Sequence, residues 1–171
     1  MSWKETYRSR QATAEEAVAH IKSGDRVIVG HACGEPSYLL DVMVQHAEDY
    51  RDVEIVHMVA MGKCEYCKPA YAKNFRHNAI FAGGNSRDAI FEGRGDFTPV
   101  FFYRVPELFD TTLQLDAALV MVTPPDENGM CSLGISVDYT LAAVKNAKTV
   151  IAQVNSRMPR TRGGGNVRVE D

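Results

Sequence analysis

No uninterrupted apolar run in the 171 residues approaches the ~20 that a membrane-spanning helix needs. The opening residues, Met1-Ser2-Trp3-Lys4-Glu5, lack the apolar stretch of a signal peptide. Cysteine is sparse: Cys33, Cys64, Cys67 and Cys131 are too few, over this length, for a disulfide-stapled secreted domain. A reducing, cytoplasmic setting is therefore expected. A basic excess is also missing. Nineteen Lys and Arg stand against 22 Asp and Glu, a net charge of -3, which argues against a nucleic-acid surface. The run Arg157, Arg160, Arg162 holds no aromatic side chain on which a base could stack, and it reads as a solvated tail. Neither a membrane nor a nucleic acid is expected as a partner. Internal repeats and low-complexity linkers are lacking too.

What is present is an ordinary globular balance, 45% hydrophobic and 24% charged, in a chain long enough for one core. Helix and strand signals alternate. Thr13 with Glu16 forms a capping box ahead of Ala14, Ala17, Val18 and Ile21, the buried stripe of an amphipathic helix. Arg26–Gly30 is a short β-branched run that reads as a buried strand. A loop follows to Pro36, which suits a first helical turn, and Leu39, Val42, Met43 and His46 carry the next helical stripe. Strands are predicted over 53–59, 79–81, 99–102, 117–122 and 149–154. Shorter helices are predicted at 87–92 and 105–109, and another around Val137, Leu141 and Val144. Residues 60–77 read as irregular, and Asp126-Glu127-Asn128-Gly129 as a turn. The expected fold class is α/β: an open, mostly parallel sheet of about six strands with helices on both faces. Residues 1–155 would form this domain. Residues 156–171, with Arg162-Gly163-Gly164-Gly165, read as an exit segment toward a second domain. The alternating coda Asn166–Val169 could begin a strand, with no partner evident in the sequence.

Five ordered segments resemble one family. They are Ala14–Val27, with an "SGDRV" turn before the first strand; Gly95–Phe102 with Val105-Pro106; Thr123–Gly134, similar to an "SPPDxxGxxSLG" hairpin; Asn155 with Met158-Pro159-Arg160-Thr161; and Met61-Gly62-Lys63 with Glu65-Tyr66 and Lys68-Pro69. Together they resemble the acetyl-CoA hydrolase/transferase family, and the last is most like its 4-hydroxybutyrate CoA-transferase branch. The resemblance implies the N-terminal domain of an enzyme built from two similar open α/β domains. The implied partners are an acyl-CoA, a short-chain carboxylate and a second CoA-transferase domain or subunit, in a homo-oligomer. Coenzyme A would be a substrate, with no covalently bound cofactor. The implied chemistry runs through a glutamyl–CoA thioester, and the family places that glutamate in the second domain, so no catalytic residue is expected on this chain. A chain cut off from such a domain should expose an apolar face where the missing part packs.

Several residues are candidates for a site. His31-Ala32-Cys33-Gly34-Glu35-Pro36 lies between a strand and a helix, where open α/β sheets bind ligands. His31, Gly34, Glu35 and Pro36 would be walls of an acyl pocket, with N–H groups at the helix start facing a carboxylate or thioester oxygen. Glu35 is the local carboxylate placed most like a nucleophile. Met61 and Tyr66 follow the second strand and would line the same site. Each of these loops also reads, more plainly, as a surface turn. Cys64-Glu65-Tyr66-Cys67 could hold zinc or act as a redox pair, with Cys33, His31 and His57 as further ligands; two free thiols in a loop is the plainer reading. Gly83-Gly84-Asn85 resembles a phosphate-cradling turn but lacks the Lys and Ser/Thr that would follow. A non-catalytic structural subunit or truncated relict is the alternative to an enzyme half.

Overall fold

The computed structural model describes residues 2–171. In chain order it contains α1 (Trp3–Arg10), α2 (Ala14–Val18), β1 (Arg26–Val29), α3 (Ser37–Gln45), β2 (Val53–His57), β3 (Phe75–Ala79), α4 (Arg87–Phe91), β4 (Gly95–Phe97), α5 (Val105–Asp110), β5 (Ala117–Val122), β6 (Met130–Ser132), α6 (Thr140–Asn146), β7 (Thr149–Val154) and β8 (Asn166–Arg168). Six strands form one parallel sheet in the order β4-β3-β2-β1-β5-β7.

The strands alternate between two apolar cores, because side chains along a strand point to opposite faces. Val27, Val29, Val53, Ile55 and Leu119 pack under Leu39, Val42 and Met43 of α3. Ile28, Val56, Ala118, Val120 and Val122 pack under Val105 and Phe109 of α5 and under Ala143 of α6 with Tyr139 just before it. Both faces are thus covered, as continuous apolar strands require. The sheet grows from β1 outward through β2, β3 and β4, then resumes on the other side of β1 with β5. The helix after β1 covers one face and the helix after β5 the other. Their loops therefore part at the carboxyl edge, the place where this architecture opens a crevice. No helix among the described residues is long and apolar enough to cross a membrane.

Four local expectations are corrected. The helix α1 was not anticipated, because it buries none of its residues; its signal is the Ser2–Glu5 capping box. The strand expected at 79–81 lies earlier, at Phe75–Ala79, where its polar residues are all paired: Arg76 with Asp96, Asn78 with Glu54, and His77 with the Ile55 carbonyl. Residues 99–102 are not a strand. The edge strand is Gly95–Phe97, and Phe102–Arg104 is a 3-10 turn that leaves Phe101 and Phe102 exposed. The coda does have a partner in this chain: β8 pairs antiparallel with β6, Cys131 facing Val167. Behind it Met158 is buried, and Arg160 donates to the carbonyls of Pro124 and Met130 at 2.6 and 3.0 Å.

Candidate functional site

The carboxyl ends of β1 and β2 deliver two loops that touch. The Ala32 N–H donates to the Val59 carbonyl at 2.9 Å. Both loops contain a non-glycine residue in the left-handed region, Ala32 (φ 50°) and Cys64 (φ 50°). Such conformations cost about 1 kcal/mol each and collect at functional sites. In the first loop the Gly34 and Glu35 N–H groups close a 3-10 turn onto the His31 and Ala32 carbonyls. Those two donors are used internally and do not face a ligand.

Glu35 is buried, and its carboxylate is filled from the second loop. Oε2 accepts the N–H groups of Met61 (2.8 Å) and Gly62 (3.0 Å), and Oε1 accepts the Ser37 hydroxyl (2.8 Å). A side chain at Gly62 would overlap Glu35 Oε1, which explains a glycine there. His57 Nε2 lies 3.8 Å from Glu35 Oε2, while its Nδ1 is 2.8 Å from the Tyr66 hydroxyl. Burial, then the charges of His77 and His31, push the His57 pKa down to about 3, so this imidazole is neutral at pH 7. Burial likewise pushes His77 down to about 4. On the far side of the second loop, Asn85 Nδ2 donates to the Gly62 carbonyl at 2.9 Å.

His31 occupies the end of β1. Its ring stacks on Tyr139 (4.8 Å between centroids) and meets the edge of Phe102 at 5.9 Å. Nε2 is 2.7 Å from Asp138 Oδ2. Burial pushes the Asp138 carboxyl upward, but the His31 hydrogen bond and the Thr140 N–H and hydroxyl outweigh it and hold the group below its usual range. An ionised Asp138 accepts only, so His31 Nε2 is the donor of this pair. The buried Nδ1 has no partner among the described residues.

The sequence candidates separate accordingly. The structure brings His31, Gly34, Glu35, Pro36, Met61 and Tyr66 to one end of the sheet, but of these Met61 alone is exposed (64%). A cavity of about 150 Å3 lies between α3 and the second loop, lined in part by Glu35, Ser37, Gly62, Cys64 and Tyr66. Asp138, Ser37 and the role of Asn85 went unrecognised in the sequence. The Asp138–Thr140 turn is a weak signal for the first, and nothing local marks the others. The zinc alternative is not supported. Cys33 is exposed while Cys64 and Cys67 are buried, and no group of three His, Cys, Asp or Glu among the described residues could hold a metal ion. The hydrogen bond between the two thiols, and then burial, pushes the Cys67 pKa up, while the same hydrogen bond pulls the Cys64 pKa down against the burial that would raise it. Near the same sheet edge, Phe81, Phe97, Phe101, Phe102 and Tyr103 are all at least half exposed.

Comparison with known proteins places the whole chain. Residues 1–170 match the acetyl-CoA hydrolase/transferase N-terminal domain. The chain is 50% identical, over its full length, to the 4-hydroxybutyrate coenzyme A transferase of Clostridium kluyveri, and covers 40% of that protein. A solved 4-hydroxybutyrate CoA-transferase from Porphyromonas gingivalis is 32% identical with a TM-score of 0.80, over 99% of this chain and 39% of that one. RipA from Yersinia pestis superposes with a TM-score of 0.93 at 24% identity, over 99% of this chain and 42% of that one, a likeness of fold. The chain thus spans about two fifths of the length of these relatives.

Proposed function

Because this chain belongs to the acetyl-CoA hydrolase/transferase family, we propose that it is the non-nucleophilic half of a CoA-transferase of the 4-hydroxybutyrate/acetyl type. The enzyme moves CoA between a short-chain acyl-CoA and a carboxylic acid. A glutamate carboxylate beyond this chain attacks the thioester carbonyl and expels the CoA thiolate, leaving an acyl–glutamyl anhydride. The thiolate then attacks the glutamyl carbonyl and releases the first carboxylate, leaving a glutamyl–CoA thioester. An incoming carboxylate reverses both steps and leaves with CoA. Covalent relay of this kind divides one hard displacement into easier ones.

The observation that carries the division of labour is the state of Glu35. It is the buried carboxylate at the site, and its oxygens already accept two backbone N–H groups and a hydroxyl. A carboxylate so engaged is a poor nucleophile, because attack would strip hydrogen bonds from buried donors. The loops 31–36 and 61–66 form the acyl wall, with His31, Gly34, Pro36, Met61 and Tyr66 in it and Glu35 behind. The buried, unpartnered Nδ1 of His31 suits a polar group on the acyl chain, such as a hydroxyl. The exposed aromatics Phe81, Phe97, Phe101, Phe102 and Tyr103 are the face on which the second domain packs.

Incubation of the intact protein with acyl-CoA, followed by borohydride and peptide mass mapping, tests this. The reading expects a modified glutamate outside residues 1–171. An adduct on Glu35 would refute it.

A further inference from the structure

We propose that Glu35 is a positioning residue that clamps the Met61–Gly62 peptide from beneath and so fixes where Met61 stands in the acyl wall, which sets discrimination by acyl-chain length. This rests on the transferase reading above.

Glu35 sits beside a short polar series. The Cys64 thiol faces the Tyr66 oxygen at 3.7 Å, and the Tyr66 hydroxyl faces His57 Nδ1 at 2.8 Å. With Nδ1 accepting, the neutral imidazole carries its proton on Nε2, which lies 3.8 Å from Glu35 Oε2 and has no hydrogen-bond partner among the described residues. Glu35 draws its hydrogen bonds from elsewhere. It takes the Met61 and Gly62 N–H groups on Oε2 and the Ser37 hydroxyl on Oε1. Asn85 holds the Gly62 carbonyl from the other side. Both ends of the Gly62 residue are therefore fixed, one from the loop after β1 and one from the turn after β3.

The Met61 side chain is left 64% exposed on this fixed backbone. A buried carboxylate is a costly way to fill space, and an apolar residue would serve better for packing alone. What a carboxylate adds is simultaneous acceptance from two consecutive N–H groups, which an apolar side chain cannot give. Gly62 is fitted to it, since any β-carbon there would displace Oε1.

The test uses the intact protein with Glu35→Ala, Glu35→Gln and Gly62→Ala. The Gln variant keeps an acceptor oxygen, and the Gly62 variant pushes the carboxylate aside without leaving a hole, which covers a failure of Glu35→Ala to fold. Amide exchange at Met61 and Gly62 should speed up by about tenfold or more in Glu35→Ala and in Gly62→Ala, and stay close to wild type in Glu35→Gln. The ratio of kcat/KM for butyryl-CoA over acetyl-CoA should move by about tenfold in the same two variants and return in Glu35→Gln. Unchanged exchange at the two amides overturns the clamp. A fall in both substrates together, with the ratio constant, shows a merely structural carboxylate and overturns the specificity role. If the wild-type protein transfers no CoA, the transferase reading fails, and the exchange result alone still decides whether Glu35 clamps the loop.

Discussion

Two groups of loops crown the carboxyl edge of the sheet, and they are held by different means. The loops after β1 and β2 are fixed by buried ionisable groups, Glu35, His31 and His57, and carry left-handed backbone at Ala32 and Cys64. The segments around β6 and β8 are fixed by a part-exposed guanidinium, by Ser132 Oγ accepting the Gly134 and Thr161 N–H groups, and by left-handed backbone placed on Gly129, Gly134 and Gly163. Glycine adopts that conformation at no steric cost, whereas alanine and cysteine do not. The second group is ordinary packaging. The first stores strain and desolvated charge, which a fold retains where position matters more than stability.

Acid should weaken the side of the sheet that carries the first group, through His57 at the end of β2 and His77 on the neighbouring β3, and spare the second. His57 and His77 are held at about 3 and about 4 by burial, against about 6.5 in an unfolded chain. Between pH 6.5 and pH 5 the unfolded chain binds protons that the folded one refuses, so stability falls as pH falls. The loss is about 2 kcal/mol for each imidazole. Urea midpoints at pH 7 and pH 5 measure it, and His57→Gln should remove about half of the difference. A smaller effect is expected in the second group from Gly134→Ala. That glycine has φ 64°, and a β-carbon would run into Met158. A loss of about 2 kcal/mol, independent of pH over the same range, is expected by urea unfolding. Smallest is Arg160→Ala, which removes hydrogen bonds to Thr123, Pro124 and Met130 from a side chain 36% exposed. About 1 kcal/mol is expected, shrinking in high salt only as far as the 3.5 Å contact with Asp126 contributes.

The same contrast explains what was legible in the sequence. β1 and β7 announce themselves as β-branched runs and β5 as an apolar one, and most of the family segments lie in the loops and turns that follow the strands. β3 did not, because its Arg76, His77 and Asn78 become strand residues only once Asp96, Glu54 and Ile55 are beside them. The place of the site was readable, since loops at the carboxyl edge follow from strand order. Its internal wiring was not. Glu35 is satisfied by backbone N–H groups 26 and 27 positions away, and a backbone donor leaves no mark in residue identity. Asp138 meets His31 across 107 positions.

The helix α1 buries nothing of its own, yet it is anchored: Trp3 lies against Gly129, and Arg10 donates to the Val169 and Glu170 carbonyls. All three contacts lie more than a hundred residues downstream. On a ribosome adding about 5–20 residues per second, the first helix waits roughly 10–30 s for its last contacts to be synthesised. The beginning of this chain is therefore among the last parts to settle, and mutations at Trp3 or Arg10 should speed unfolding while leaving the folding rate nearly unchanged.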